Sequence, residues 1–160
     1  VYVASVNLGA NMAQVVKTML EAESYDGPSI IIAYSPCISH GINMTQSIEE
    51  GKLATKAGYW PLYRFDPRRV AEGKEAMVYE TPAPSTPFND YIGNEIRYKS
   101  LEIQFPQRAE KLFKEAEEDA KWRDGQYKEI AHKDDPKKEP ATTSSEKERA
   151  EPEQNKEQKN

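Results

Sequence analysis

The only cysteine of the chain lies in a short polar segment directly after a run of apolar residues. Residues 31–41 have the sequence IIAYSPCISHG, in which Cys37 follows a proline and His40 comes three residues later, before Gly41. A thiolate and an imidazole can act together as nucleophile and base, and both are common metal ligands. Cys37 therefore has three possible roles: a nucleophile, a metal ligand, or a small buried side chain.

Residue types alone leave these roles of Cys37 open, with the buried side chain as the default. A nucleophile needs a lowered pKa and a base within reach, but Pro36 and Gly41 predict a loop, in which contact with His40 is not assured. Structural zinc needs four Cys or His ligands, and besides Cys37 and His40 the sequence offers only His132. An iron–sulfur cluster needs four thiolates, so three would have to come from outside these 160 residues.

The residues that precede this polar segment predict a strand–helix–strand unit. Residues 1–6, VYVASV, and residues 29–34, SIIIAY, have the composition of strands. The second run is continuously apolar, which is typical of a strand buried on both faces in a parallel sheet. Asn11 is a good helix N-cap with Gln14 three residues later, as in a capping box. The helix between the strands has one apolar face, formed by Met12, Val15, Val16, Met19 and Leu20.

The following residues predict a second helix and two more strands. Ser47 and Glu50 form another capping-box pattern, and the helix runs to about Lys56. Its inward residues are expected to be Ile48, Leu53, Ala54 and Ala57. Residues 59–65 and 76–80 predict strands. The predicted fold class is therefore α/β, with a mostly parallel sheet and flanking helices. In such a fold Cys37 would lie at the carboxyl end of a strand, where α/β proteins bind ligands.

The last third of the chain predicts an extended loop, helices and a tail. The proline-rich loop starts at residue 81, a short helix follows near residues 90–100, and Pro106 suits the first turn of a last helix. The inward stripe of that helix is Ala109, Leu112, Phe113, Ala116 and Ala120. Residues 131–160 contain no aromatic residue and no Leu, Ile, Val or Met, so we expect a disordered charged tail. We divide the chain into 1–80, 81–130 and 131–160.

Composition and charge exclude several classes of function. The net charge is −5, and Lys and Arg do not gather with aromatic residues on one face, so nucleic-acid binding is not indicated. No apolar run reaches the length of a membrane span. One cysteine argues against a disulfide framework and fits a reducing compartment. The chain begins at Val1, within a strand pattern and without a methionine, so we expect it to be a fragment.

Three segments in order resemble the C-terminal end of the pyruvate:ferredoxin (flavodoxin) oxidoreductase family. The first is YVASVNLGAN followed by EAESYDGPSIIIAYSPCISHGI, the second is KLATKAGYWPLYRFDPRRVAEGK, and the third is NEIRYKSLEIQFPQRAEKLFKEAEEDAKWR. The resemblance runs from residue 1 to about residue 127, which is most of the part that we expect to fold. Several ordered motifs make it far more specific than any single motif.

The resemblance implies an enzyme that decarboxylates pyruvate oxidatively to acetyl-CoA with thiamine diphosphate, Mg²⁺ and 4Fe–4S clusters. It implies that residues 1–80 are part of a thiamine diphosphate-binding domain. In the family, the cysteine of the PC-x-x-HG loop ligates the cluster nearest the thiamine, which assigns Cys37 as a metal ligand. The other three cysteines and the thiamine and magnesium motifs precede residue 1, so no catalytic or cofactor-binding residue is assigned in this chain. Ser39 departs from the asparagine common in the family.

The resemblance also implies partners and a location. Ferredoxin or flavodoxin would accept the electrons, coenzyme A would be the second substrate, and the full-length enzyme would be a homodimer. It would be cytoplasmic, or in a eukaryote would lie in an anaerobic organelle such as a hydrogenosome. The isolated chain is expected to be inactive. Two alternatives stay open: an acyl-transfer or hydrolase domain with Cys37 and His40 as nucleophile and base, and a non-enzymatic interaction module that uses the charged tail.

Overall fold

A computed structural model describes residues 1–132, which form six α-helices and a four-stranded sheet. The strands are β1 (Tyr2–Val6), β2 (Ser29–Ala33), β3 (Tyr63–Phe65) and β4 (Met77–Tyr79). The helices are α1 (Met12–Ser24), α2 (Ser47–Lys56), α3 (Arg68–Ala71), α4 (Phe88–Ile92), α5 (Ile96–Gln104) and α6 (Pro106–Ala131). The disorder predicted for the tail lies, from residue 133 onwards, outside the described residues.

The α/β class with flanking helices is confirmed, but the sheet is mixed. Its order is β2-β1-β3-β4. The predicted strand–helix–strand unit pairs β1 with β2 in parallel, with Ala4 opposite Ile31, whereas β1–β3 and β3–β4 are antiparallel. The expectation of a mostly parallel sheet was based on the apolar run of β2. That run gives information about β2 alone. β3 lies on the other side of β1 and is antiparallel to it.

The start of α1 follows the predicted cap only in part. The Asn11 side chain accepts the backbone N–H of Gln14 at 3.0 Å, as an N-cap should. The Gln14 side chain does not return to Asn11, and instead donates to the carbonyl of Ser5 at 3.2 Å. The half of α1 that faces the sheet is therefore partly polar, with Gln14 and Thr18 buried.

The apolar stripe of α1 exists, but among the described residues Val15 is its only member that packs against the sheet. Val15, together with Ala22, contacts the cluster of Tyr2, Ala4 and Val6. The other members of the stripe are 51–62% exposed, namely Met12, Val16, Met19 and Leu20. Helical periodicity locates an apolar face, but it does not say which neighbour covers that face.

The prediction that β2 is buried on both faces is wrong for this chain. β2 is an edge strand, with β1 as its one neighbour among the described strands. Ile31 is half-buried against the β1 cluster, but Ile30 and Ile32 are 52% and 44% exposed. A strand is buried on both faces only where layers lie above and below it, and residues 1–132 do not supply the second layer.

A second core lies among α2, α4 and α6. Its buried members are Ala54, Ala57, Phe88, Tyr91, Ile92 and Ala120, and half-buried side chains such as Trp60 and Phe113 pack around them. The indole N–H of Trp60 donates to the Val6 carbonyl at 3.1 Å, which links this core to β1. The predicted inward positions of α2 and α6 are confirmed at Ala54, Ala57, Ala109 and Ala120, whereas Ile48 and Leu112 are exposed.

Candidate functional site

Cys37 lies in the loop that leaves the carboxyl end of β2, as the sequence predicts. It is the N-cap of a short 3-10 helix, Ile38–His40, and its Sγ accepts the backbone N–H of Ser39 at 3.4 Å. Gly41 ends this helix with a φ of 78°, a conformation that favours glycine. The thiol of Cys37 is exposed, so it is not the buried small side chain that residue types alone favour.

Helix α5 holds the loop from the other side. The Arg97 side chain donates from Nε to the carbonyl of Ser39 at 3.0 Å. The neighbouring Ile96 lies directly against Gly41 and leaves no room for a side chain there. These two contacts join segments far apart in sequence, so the orientation of the Cys37 loop depends on α5. The sequence gives no sign of this contact, because Ile96 and Arg97 have the spacing of ordinary helix-surface residues.

The surroundings of Cys37 favour its thiolate form. Hydrogen bonds from Ser39, first from its backbone N–H and then from its side chain, lower the pKa of the Cys37 thiol, and the Arg97 guanidinium makes a smaller contribution. Both a nucleophile and a metal ligand react as the thiolate. The lowered pKa therefore supports a chemical role for Cys37 without separating the two roles.

A hydrogen-bonded cluster of tyrosines and carboxylates adjoins the start of the loop through Tyr34. The hydroxyl of Tyr34, three residues before Cys37, is 3.1 Å from that of Tyr91, which donates to Glu95 at 3.3 Å. Burial raises the pKa of Tyr34 to about 12, and burial and Tyr34 raise that of Tyr91 further. These hydroxyls stay protonated at neutral pH, so the two tyrosines serve as hydrogen-bonding groups and not as bases.

Glu50 of α2 belongs to the same cluster and was not identified from the sequence, which assigned it to a helix cap. Its Oε2 accepts from the Asn94 side chain at 3.3 Å, and its Oε1 has no hydrogen-bond partner among the described residues. Burial raises the pKa of the Glu50 carboxyl, and nearby Glu95 adds to the rise. The predicted capping box is not formed, because Ser47 is already the first helical residue and the N-cap is Gln46, whose side chain makes no cap bond.

The described residues contain no group of three or more His, Cys, Asp or Glu side chains that could hold a metal ion. Cys37 therefore cannot form a metal centre with them alone. It does fit a site completed from elsewhere, because it is exposed, its sulfur already accepts an N–H, and a cation lies nearby. Backbone N–H donors to sulfur and nearby charge are the features that tune thiolate-bound clusters.

Two arginines near β3, Arg64 and Arg68, are paired with carboxylates. Arg64 is buried and makes two hydrogen bonds of 2.9 Å to Glu80, and it also binds Glu21. Arg68 binds Asp66 at 2.8 Å. Burial alone would lower the pKa of Arg64, but the hydrogen bonds to Glu80 and Glu21 outweigh it and raise the pKa.

A cavity of about 290 Å³ lies between Pro84 and α6, and none of its lining residues belongs to the Cys37 loop.

The chain is closely similar to segments of much longer pyruvate oxidoreductases. It is 56% identical over 131 residues to pyruvate:ferredoxin oxidoreductase of Moorella thermoacetica, and 44% identical over 133 residues to pyruvate-flavodoxin oxidoreductase of Klebsiella pneumoniae. Each alignment covers 82% of this chain and 11% of the relative. This chain is homologous to a segment of the pyruvate oxidoreductases. No family model matches it.

The pyruvate oxidoreductase relatives differ in their named electron acceptors. Besides the ferredoxin and flavodoxin enzymes, the chain is 46% identical over 114 residues to a mitochondrial pyruvate dehydrogenase of Euglena gracilis whose name gives NADP⁺ as acceptor; the alignment covers 70% of this chain and 6% of that protein. The identity to relatives under the three names ranges from 44% to 56%. Among the helices described for this pyruvate oxidoreductase homologue, none has the length and apolar composition to cross a membrane.

Proposed function

We propose that this chain is part of a thiamine diphosphate-dependent pyruvate:ferredoxin or pyruvate:flavodoxin oxidoreductase. The observation that carries the proposal is the 56% identity over 131 residues to an enzyme named for pyruvate and ferredoxin. The longer enzyme would convert pyruvate and coenzyme A to acetyl-CoA and would act as a homodimer. Because the chain spans about 11% of that relative, the activity belongs to the longer protein, and the chain alone would be inactive.

Within that enzyme we assign residues 1–80 to a thiamine diphosphate-binding domain and residues 81–130 to its C-terminal loop and helices. The α/β order and the site at the carboxyl end of β2 support this assignment. Residues that bind the thiamine and Mg²⁺ would come from the longer protein. We place the enzyme in the cytoplasm, because a single cysteine suits reducing surroundings.

We assign Cys37 as one ligand of a 4Fe–4S cluster. When bound, thiamine diphosphate supplies the carbanion chemistry at pyruvate and 4Fe–4S clusters carry the electrons away. In the proposed enzyme, the role of this chain is to hold the Cys37 thiolate in a fixed position. Ser39 N–H donates to the sulfur, Arg97 fixes the Ser39 carbonyl, and Gly41 closes the turn against α5. These contacts would hold the thiolate ready before iron binds.

The alternative role, a Cys37–His40 nucleophile, has two supporting observations. Cys37 is the N-cap and His40 the last residue of the same 3-10 helix, and the pKa of the Cys37 thiol is lowered. The proposed ligand role needs the same thiolate, and the homology favours it. The two roles make opposite predictions for His40, because a nucleophile needs the imidazole as its base whereas a cluster ligand does not.

The test compares Cys37→Ala and His40→Ala in the longer protein. Cys37→Ala should remove the iron and sulfide of one cluster, measured by metal analysis and electron paramagnetic resonance, and should abolish pyruvate-dependent reduction of ferredoxin. His40→Ala should keep full iron. Full iron content in the Cys37→Ala enzyme would contradict the ligand role. Loss of thiol reactivity in His40→Ala with iron unchanged in both variants would favour the nucleophile.

A further inference from the structure

Residues 94–97, here called the junction segment, connect α4 to α5 and hold the Cys37 loop. Ile96 lies directly against the glycine that ends the 3-10 turn of that loop. Arg97 donates to the carbonyl of Ser39 at 3.0 Å, and the N–H of Ser39 donates in turn to the cysteine sulfur at 3.4 Å. A displacement of the junction segment therefore moves the donor that faces the Cys37 thiolate.

The junction segment is held in place by one buried side chain. From residue 93 to residue 104, Glu95 alone is buried, with 5% of its surface exposed, and α5 contains no buried residue. Beyond the junction segment, α5 rests on α6, where the rings of Tyr98 and Phe113 meet edge-on with their centroids 5.8 Å apart. The first turn of α5 can therefore move about this contact, and the burial of Glu95 decides its position.

A second buried carboxylate, Glu50 of α2, lies beside Glu95. Glu50 is 6% exposed, its Oε2 accepts from the Asn94 side chain at 3.3 Å, and its Oε1 has no hydrogen-bond partner among the described residues. Burial raises the pKa of the Glu50 carboxyl and Glu95 adds to the rise, which together outweigh the opposing hydrogen bond from Asn94. A charge on Glu50 thus costs free energy in the folded chain, and the cost falls if Glu50 keeps its proton or if Glu95 moves away.

The other ionisable groups described around Glu50 do not offset its charge. Burial, with a smaller contribution from the charge of Glu50, raises the pKa of Tyr34 to about 12. Tyr91 of α4 bonds to Tyr34 at 3.1 Å, and burial followed by Tyr34 raises the pKa of Tyr91 further, so both hydroxyls stay neutral. On α2 itself, Glu49 and Lys52 form an exposed pair with each other. The charged group that acts on Glu50 is therefore the carboxylate of the junction segment.

We propose that Glu50 is a positioning residue for Cys37: its neutral carboxyl lets Glu95 stay buried beside α2, and its ionisation loosens the junction segment and the loop that this segment holds. The proposal rests on the proposed function for the role of Cys37. Because the folded-state pKa of Glu50 is raised, the tight arrangement is fully present at low pH and is lost as pH rises through that folded-state pKa.

Nuclear magnetic resonance of the iron-free 160-residue chain tests the coupling by its pH profile. In the wild type, the amide of Ser39 and the Nε–H of Arg97 should shift with pH at the same midpoint as the carboxyl carbon of Glu50. Glu50→Gln should abolish this shift, whereas Glu49→Gln, which changes an exposed neighbour on the same helix, should keep it. A Glu50 titration that leaves Ser39 and Arg97 unchanged would overturn the proposal, and so would the same shift in Glu50→Gln.

A variant of Arg97 separates transmission through the junction segment from a direct effect of the Glu50 charge. Arg97→Met removes the donor to the Ser39 carbonyl and leaves Glu50 in place. The Glu50 carboxyl should still titrate in this variant, but the Ser39 amide should no longer follow it. A Ser39 shift that persists in Arg97→Met would contradict the positioning role.

The iron of the longer protein distinguishes a failure of this proposal from a failure of the proposed function. The paramagnetic resonance signal that Cys37→Ala removes should change with pH in the wild type over the range in which Glu50 titrates, and should not change in Glu50→Gln. A signal that follows pH equally in both would overturn the positioning role while the ligand assignment stands. Full iron in Cys37→Ala would overturn the ligand assignment, while a Ser39 shift that follows Glu50 would still support the coupling.

Discussion

Gly41 and Ile96 lie so close that a methyl group on Gly41 would overlap the isoleucine. A Cβ atom at Gly41 would be 2.5 Å from the Cβ of Ile96, and Gly41 also has a φ of 78°. The contact joins the end of the Cys37 turn to the first residue of α5. The position of the candidate site therefore depends on a glycine for two separate reasons, a steric one and a conformational one.

Substitution of Gly41 should separate these two reasons. Gly41→Ala is expected to destabilise the chain by about 1–2 kcal/mol through its left-handed backbone and by about 1–3 kcal/mol more through the overlap with Ile96. Gly73→Ala is the matched control, because Gly73 has a φ of 70° and nothing within 4 Å of the added methyl. Urea unfolding measures both, and Gly41→Ala combined with Ile96→Ala should recover the steric part. Equal losses at Gly41 and Gly73 would mean that the contact with Ile96 is unimportant.

The thiol of Cys37 should respond to the donor at Ser39. Because hydrogen bonds from Ser39 lower the pKa of Cys37, and the backbone N–H contributes most, Ser39→Pro should raise that pKa more than Ser39→Ala. A higher pKa leaves less thiolate at neutral pH, so iodoacetamide should react more slowly, in the order wild type, Ser39→Ala, Ser39→Pro. The pH dependence of alkylation gives the three values. Identical profiles would show that the Ser39 N–H does not act on the sulfur.

The buried Arg64 should be needed to neutralise two carboxylates. Arg64→Met leaves Glu21 and Glu80 without their cation in a largely buried place, at a cost of about 3–5 kcal/mol in the free energy of unfolding. Arg68→Met is the control, because the Arg68 side chain is 41% exposed and solvent screens its pair with Asp66, so the loss should be much smaller. Adding Glu21→Gln and Glu80→Gln to Arg64→Met should restore part of the loss. No recovery would assign the loss to packing and not to charge.

Glu50 should make the chain less stable as pH rises. Burial raises its folded-state pKa, with Glu95 adding to the rise, so stability falls from the ordinary pKa of a carboxyl up through the folded pKa. Glu50→Gln should therefore stabilise the chain near pH 7, where the buried carboxylate is costly, and have little effect below about pH 4. Urea unfolding at both pH values checks this, with exposed Glu49→Gln as the control. A gain that is the same at both pH values would exclude titration of Glu50 as its cause.

The sequence by itself determined where the main elements and the candidate site lie along the chain. The strand–helix–strand unit, the Asn11 cap and the start of α6 at Pro106 depend on neighbouring residues, and local patterns predicted all three correctly. The position of Cys37 after β2 followed from the same local order. The identity of the segment was also present in ordered local motifs, which the comparison with known pyruvate oxidoreductases bears out.

Only the tertiary structure decided which faces are covered and which charges are buried. Tyr34 meets Tyr91 across 57 residues of sequence, and Arg64 meets Glu21 across 43, so no local pattern could pair them. The apolar stripe of α1 and the apolar run of β2 were visible in the sequence, but their exposure was not. Periodicity shows that a face is apolar, whereas burial requires a neighbour, and for the exposed residues of these two elements the described residues do not contain one.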